Sequence, residues 1–256
     1  RATRTQGNFQ FIAAALAQRD YTSRGPDPED NSLTAVSSDY LRNAFLPDMH
    51  LQVHYQQDPA ENGTGFLAGV GAAYKVIAPR ISSTVGGDTY KVNEHVAGFT
   101  AIAFSKITLP AITLKVQGRY GENIADVLSI SGFAVRQVVN PITGERSYTP
   151  LQNITAWGEI HTNHERLQVG LFGGYLKNLG TKEPMVSPGN PVYGLATGIA
   201  SLYRLSPRII YIAGKFRLAA ELEYTAAAYG ENYDVSHVPG QTVTVANTRI
   251  LLSTIY

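Results

Sequence analysis

Two glutamates, Glu221 and Glu223, have the residue type and spacing for acid–base chemistry. If the alternating segment 216–228 is a β-strand, both carboxylates lie on the same face, roughly 7 Å apart. That distance falls within the range of about 6.5–9.5 Å that separates the two carboxyl groups of inverting glycosidases. The competing interpretation is structural, because Arg217 and Arg249 are placed on the same and the neighbouring strand to pair with these carboxylates. We favour the ion-pair interpretation.

The six histidines offer a second possible chemistry. His50 and His54 share one face of another predicted strand, about 13 Å apart, which is too far for both to bind one metal ion. His161, His164 and Asp126 provide the residue types of an Asp–His dyad, but both histidines fall in a predicted tight turn. The sequence has no phosphate-binding loop, dinucleotide-binding fingerprint or EF-hand loop. We therefore predict no metal, no cofactor and no enzyme; an inward carboxylate within hydrogen-bond reach of a histidine would argue for an enzyme.

The composition narrows the class of protein further. Charged residues make up 16% of the 256 residues, whereas a soluble domain usually has about 25%. The 21 Lys and Arg residues balance 20 Asp and Glu residues, which gives no reason to expect nucleic acid as a partner. The absence of cysteine excludes disulfides, thiolate metal sites and cysteine nucleophiles.

The hydrophobic runs are too short for a helical membrane protein. The longest, Phe11 to Ala17, has seven residues, and a membrane-spanning helix needs about 20. Strands of a membrane β-barrel need only about 9–11 alternating residues, so that class remains open. Arg1 and the polar residues after it do not resemble a signal peptide, so we expect either a mature chain or one whose beginning is missing.

Hydrophobic residues recur with a period of two along most of the chain. In segment 111–121, Leu114 and Val116 fall on one face while Lys115 and Gln117 fall on the other, which is typical of a strand and not of a helix. The same pattern predicts ten strands, at 6–19, 48–58, 64–80, 94–107, 111–121, 153–161, 166–178, 195–213, 216–228 and 242–256.

The connections between these strands alternate between long and short. Long segments such as 20–47 and 122–151 are separated by tight turns such as 214–215, the arrangement of bacterial outer-membrane barrels. The last strand ends on Tyr256, as an outer-membrane C-terminal strand would. A soluble β-sandwich or jelly roll is the alternative, but low charge and long loops disfavour it. The fold prediction is an all-β, transmembrane antiparallel up-and-down β-barrel that forms a single domain over residues 1–256.

Several segments share loose structural motifs: Leu46-Pro47-Asp48, Tyr74-Lys75 through Ala78-Pro79-Arg80, Trp157 in its strand, Gly170 through Tyr175 followed by Lys177 through Thr181, Ser206-Pro207-Arg208, and Glu221 through Thr225 with Tyr229-Gly230. In these segments the chain resembles the DcaP-like, porin-type outer-membrane proteins of Gram-negative bacteria, particularly those of the Bacteroidetes. The resemblance implies a homotrimer of 16-stranded barrels in outer-membrane lipid. About six N-terminal strands would then be missing; a closed ten-stranded barrel is the rival.

The rows opposite the apolar ones define the predicted pore. By parity they carry more cations than carboxylates: Lys75, Lys115, Arg119, Arg204, Arg217 and Arg249 against Glu159, Glu221 and Glu223. A basic wall favours anions, so we predict a porin for passive diffusion of small anionic or polar solutes. Lys75, Lys115 and Arg119 have no carboxylate on their own rows and are the strongest pore candidates. One long loop, 20–47 or 122–151, is a candidate constriction inside the lumen.

Two other functions stay open at this stage. The long loops would equally suit a barrel that anchors or docks a surface lipoprotein or a secretion component. A barrel hydrolase is the less favoured of these two alternatives to the porin. Electrical conductance separates the porin from the anchor, because a closed anchor gives no ohmic current steps.

Overall fold

The computed structural model describes residues 1–27, 34–60 and 63–255. Strands make up 70% of the structure and helices 3%, which confirms the all-β prediction. Within the described ranges, no helix has the length and hydropathy needed to cross a membrane. The predicted terminal aromatic, Tyr256, lies outside the described residues.

The described residues contain seventeen strands and one short helix. In order they are β1 (Ala2–Gln6), β2 (Phe9–Leu16), β3 (Ser23–Pro26), β4 (Thr34–Ser37), α1 (Asp39–Arg42), β5 (Asp48–Gln57), β6 (Gly65–Ile77), β7 (Ser82–Val85), β8 (Asp88–Lys91), β9 (Val96–Thr108), β10 (Ile112–Glu122), β11 (Ser131–Asn140), β12 (Glu145–Thr162), β13 (Leu167–Thr181), β14 (Val192–Leu195), β15 (Ile199–Ala213), β16 (Phe216–Tyr233) and β17 (Pro239–Ile255). A single 3₁₀ turn, Ala125–Val127, lies between β10 and β11.

One large antiparallel sheet contains thirteen of these strands. Its main path runs β1-β2-β5-β6-β9-β10-β12-β13-β15-β16-β17, and β11 and β14 extend it beside β12. The pairs β3–β4 and β7–β8 form separate hairpins. All ten predicted strands are therefore present, although β1 was not predicted: 6–19 reads as one alternating run, but Gly7, with φ +56°, and Asn8 form a two-residue turn inside it.

The predicted alternation of connections is confirmed with one correction. The short connections β1–β2, β5–β6, β9–β10, β12–β13 and β15–β16 all lie at one end of the sheet, and the longer connections lie at the other. The final connection, predicted to be long at 230–241, has only residues 234–238 between the strands. Asp234 Oδ1 accepts hydrogen bonds from the backbone N–H groups of Ser236 and Val238 and closes this turn.

Glycines on the two faces of the sheet reveal its curvature. A Cβ atom built on Gly69 would lie 2.5 Å from the Phe104 ring, and one on Gly98 would lie 2.5 Å from the Glu122 carbonyl oxygen. On the opposite face, a Cβ atom on Gly118 would meet nothing within 4 Å, and one on Gly173 would meet its first neighbour at 4.0 Å. Side chains converge on the first face and diverge on the second, so we call these the concave face and the convex face.

The convex face is apolar along its whole width. Large apolar side chains at least 36% exposed come from every long strand of the path: Phe9, Phe11, Met49, Leu51, Phe66, Val70, Tyr74, Phe99, Ile107, Leu114, Val116, Ile154, Ile160, Leu167, Val169, Leu171, Tyr175, Tyr203, Leu205, Ile209, Tyr211, Phe216, Leu218, Leu222, Tyr224, Ile250 and Leu252. Soluble monomers seldom expose a contiguous apolar patch of more than a few hundred Å². The apolar side chains of the alternating strands therefore form an exposed surface of the sheet and do not form a buried core.

The hydrophobic core lies at the long-connection end. Its cluster joins the ends of β6 and β9 to the loop strands, through Tyr40, Leu41, Ile77, Val96, Phe133, Val135, Tyr148 and Tyr193. The Tyr40 hydroxyl donates a hydrogen bond of 2.9 Å to the Pro26 carbonyl. Burial, together with the charges of Asp27 and Asp39, raises the pKa of Tyr40 to about 12, so this donor keeps its proton at neutral pH. The long connections thus form a packed cap.

The sheet does not close on itself in the described residues. The edge strands β1 and β17 each pair on one side only, β1 with β2 and β17 with β16. All residues of β1 and all but the first of β17 are exposed. Because ten successive antiparallel pairings separate them, β1 and β17 run in the same direction.

Candidate functional site

All nine residues predicted from parity lie on the concave face. The strand registers place Lys115 opposite Glu159 and Glu223 opposite Arg249, and residues that are directly opposite share a face. The same alternation along β6, β10, β15 and β16 brings Lys75, Arg119, Arg204, Arg217 and Glu221 to that face. Their grouping into separate clusters, however, was not predicted.

Glu159 is the centre of the first cluster. Its Oε1 atom lies 2.9 Å from Lys115 Nζ, 2.8 Å from Arg208 Nη2 and 3.7 Å from His161 Nε2. Lys115 is therefore not free of carboxylates, because its partner comes from the adjacent strand. Arg208 was missed: it follows Arg204 on the same face of β15, but Pro207 interrupts the sequence pattern between them.

Glu223 is the centre of the second cluster. It is 5% exposed, and it forms ion pairs with Arg204 and with Arg249, the latter at 2.5 Å. Arg204 Nε also donates a hydrogen bond of 3.0 Å to Thr225 Oγ1. The predicted pairing of Arg249 is confirmed. The predicted pairing of Arg217 with Glu221 or Glu223 is wrong, since Arg217 has no ion pair among the described residues.

Lys75 belongs to a third, loop-bound group. It is 4% exposed and forms an ion pair with Asp126, which lies in the 3₁₀ turn. Gln18 Nε2 donates a hydrogen bond of 3.1 Å to the other Asp126 oxygen. Lys75 has no carboxylate on its own strand row, as predicted, but a loop carboxylate pairs with it. The partner is 51 residues away in a loop, where no strand pattern can identify it.

The segment that carries Asp126, which we call the inner loop (residues 123–130), lies against the concave face. Arg119 Nη2 donates a hydrogen bond of 2.7 Å to Ser129 Oγ, and Asn153 Nδ2 donates one of 2.5 Å to the Ile130 carbonyl. Val127 and Leu128 at its tip are 52% and 64% exposed. Of the two candidate loops, the one within 122–151 thus covers part of this face.

Arg119 stands apart from the other predicted cations. Among the residues that the structure describes, Arg119 makes one side-chain hydrogen bond, to Ser129, and no carboxylate lies within ion-pair distance of it. Its buried Nε atom has no hydrogen-bond partner there. Next to the inner loop, the guanidinium therefore forms no ion pair within the described ranges.

The concave face as a whole is basic. Lys106, opposite Lys115, and Arg208 add to the six predicted cations, and Asp48, Asp126 and Glu231 add to the three predicted carboxylates. Among these residues, eight cations thus face six carboxylates. Cations remain in excess, and within the described ranges each of these cations except Lys106, Arg119 and Arg217 forms an ion pair.

A carboxylate and a histidine do approach each other on this face. Asp48 Oδ1 and His50 Nε2 are 3.0 Å apart at the start of β5. Both residues line a cavity of about 310 Å³ together with Lys75, Arg119 and Asp126. Asp126 pairs with Lys75, and His161 lies 3.7 Å from Glu159, so the structure does not bring His161 and Asp126 together as a dyad.

The cap contains a buried ion pair that sequence patterns did not indicate. The Glu94 side chain is fully buried and pairs with Arg80. It also accepts hydrogen bonds from the Tyr148 hydroxyl at 2.5 Å and the Arg146 N–H at 2.7 Å. One carboxylate thus joins the β6–β9 connection to β12.

Replacing this carboxylate is expected to destabilise the cap. Glu94→Gln leaves the buried Arg80 guanidinium without a counter-charge, which costs about 3–5 kcal/mol of unfolding free energy. Denaturant titration of the purified protein measures this loss. Glu183→Gln, which removes an exposed pair with Arg136, serves as the control and should change stability by less than about 1 kcal/mol.

No protein-family model, curated protein or solved structure matches this chain.

Proposed function

We propose that the chain forms most of the wall of an outer-membrane porin through which small polar and anionic solutes diffuse passively. The observation that carries this proposal is the curved sheet with an exposed apolar convex face and a charged concave face. In water, such a convex face would favour aggregation, whereas lipid provides an apolar solvent for it. The concave face would line the aqueous channel.

The energetics of charge support the same orientation. A Lys or Arg side chain facing lipid costs about 2–4 kcal/mol at the bilayer midplane and about 0–1 kcal/mol near the interfaces. The clusters around Glu159 and Glu223 therefore belong on the aqueous side. Arg4 on the edge strand and Lys177 near the long-connection end lie on the convex face, where snorkelling to the interface lowers their cost.

The open edges imply further strands in this proposal. Unpaired backbone groups are not tolerated in hydrocarbon, so β1 and β17 each need another partner. Because the two edges run in the same direction, antiparallel closure requires an odd number of strands between them. Since β1 raises the path to eleven strands, five more would give the 16-stranded, DcaP-like barrel, and a homotrimer follows from the same resemblance.

The inner loop supports a pore with a constriction. It is attached to the concave face through Lys75 and Arg119 and exposes its tip. A loop that narrows the channel beside the Arg119 guanidinium would favour anions over cations.

Planar-bilayer recording tests the proposal. The purified protein should produce ohmic current steps, and the reversal potential in a KCl gradient should indicate a preference for chloride. A membrane-inserted protein that gives no steps would contradict the porin and support the anchoring or docking function.

A barrel hydrolase is a second candidate, favoured by the contact between Asp48 and His50. An Asp–His dyad can activate water as a general base, and the neighbouring cavity of about 310 Å³ would admit a small substrate. Hydrolysis of a nitrophenyl ester or a fluorogenic peptide by the purified protein, abolished in His50→Ala, would support this function. Equal background rates in both proteins would exclude it for those substrates.

A further inference from the structure

Two aromatic side chains lie side by side on the concave face, among its charged and polar residues. Trp157 on β12 and Phe172 on β13 have ring centroids 6.0 Å apart and ring planes inclined by 33°. Both are half-buried. Trp157 is the single tryptophan of the chain. We call this pair the aromatic shelf.

A glycine makes room for the shelf. Gly174 is directly opposite Trp157 and two residues after Phe172, so all three point to the concave face. A Cβ atom on Gly174 would lie 3.2 Å from the Phe172 ring and 3.6 Å from Trp157 Cβ. Because Gly174 has no side chain, the Phe172 ring can lie close to the backbone at this position.

Polar groups of both hydrogen-bonding types surround the shelf. Glu159, opposite Phe172, supplies acceptors, while its partners Lys115 and Arg208 supply donors. Gln117 is directly opposite Trp157 and offers both a donor and an acceptor. The two cations outnumber the one carboxylate, so the charges around the shelf do not by themselves exclude an anion.

We propose that the aromatic shelf is a stacking subsite for the pyranose ring of small neutral saccharides; this rests on the proposed pore function and specifies one class of solute. A pyranose has an apolar C–H face that stacks on aromatic rings, and hydroxyl groups that both donate and accept hydrogen bonds. The mixed donors and acceptors at the rim match those hydroxyls. An aromatic carboxylate would share the stacking and could approach Lys115 and Arg208, so it is the competing ligand that the test must separate from a sugar. Weak binding suits a channel, since a solute must also leave.

The single tryptophan makes binding directly observable. Maltose and maltotriose added to the folded protein in detergent should each change Trp157 fluorescence saturably. Sodium benzoate serves as the comparison probe. A saturable response to benzoate but to neither sugar would overturn the saccharide assignment, and no response to any probe would overturn the subsite.

Matched variants test the geometry. Phe172→Leu removes one stacking ring and should weaken maltotriose binding roughly five- to tenfold, in line with the contribution of single stacked rings. Phe172→Tyr keeps the ring and should retain the wild-type affinity. Phe66→Leu makes the same change on the convex face and should not alter binding. Equal affinities for Phe172→Leu and Phe66→Leu would contradict the proposal.

The outcome separates the subsite from the pore. Fluorescence titration needs no conductance, and current steps need no sugar. Sugar binding without current steps would leave the subsite standing and refute the porin, whereas current steps without sugar binding would refute the subsite alone.

Discussion

Asp126→Asn is expected to release the inner loop from the concave face and to raise the unitary conductance. The substitution leaves the buried Lys75 ammonium without its counter-charge, and breaking a buried ion pair costs about 3–5 kcal/mol. A cost of that size shifts the balance between attached and released loop by more than about a hundredfold. Planar-bilayer recording of the variant should therefore show larger or noisier current steps than the wild type.

The control for this prediction is an ion pair of the same type outside the channel. Asp39→Asn removes the exposed contact to Arg42, which is 2.7 Å long and leaves both side chains at least half exposed. Such pairs contribute about 0–1 kcal/mol, so conductance and stability should remain at wild-type values. If Asp126→Asn gave the same current steps as Asp39→Asn, the inner loop would not constrict the channel.

Arg119→Glu is expected to change the ion preference from anions to cations. Arg119 is the cation beside the inner loop that has no carboxylate within ion-pair distance in the described ranges. Its replacement changes the charge by two units beside the inner loop, which is the proposed constriction, and the selectivity of a pore follows the charge at its constriction. The reversal potential in a KCl gradient should change sign.

Two other substitutions serve as comparisons, one with a smaller expected effect and one with none. Lys115→Ala should reduce the anion preference less, because Glu159 keeps Arg208 as a partner and the local charge changes by one unit. Lys215→Ala, in the turn 214–215 outside the channel, should have no effect. A reversal potential for Arg119→Glu that equals that of Lys215→Ala would remove Arg119 from the channel.

The alternation of residues was enough to predict the faces of the long strands. Lys115 and Glu159 fall on one face because successive side chains of a strand point to opposite sides, and the registers confirm this. The same alternation does not predict which residues form ion pairs. Arg204 reaches Glu223 from the adjacent strand, where it lies opposite Thr225. Arg217 is six residues from Glu223 along the same strand, about 20 Å away, and is too far to pair with it.

The contacts made by loops were not predictable from the sequence. Asp126 meets Lys75, and Glu94 meets Arg80 and Tyr148, only because the long connections fold over the end of the sheet. Loop residues follow no periodic pattern from which such contacts could be predicted. Turn geometry had the same effect on the last connection, where hydrogen bonds to Asp234 replace the predicted long loop by a tight turn.

The central claim is that lipid covers the convex face and water covers the concave face. Because the chain has no cysteine, single substitutions along β10 report on each face separately. In lipid vesicles, Gln117→Cys on the concave face should react with a charged, water-soluble maleimide, and Val116→Cys on the convex face should not. Equal labelling of the two variants, or labelling of Val116→Cys alone, would contradict a membrane-embedded barrel wall.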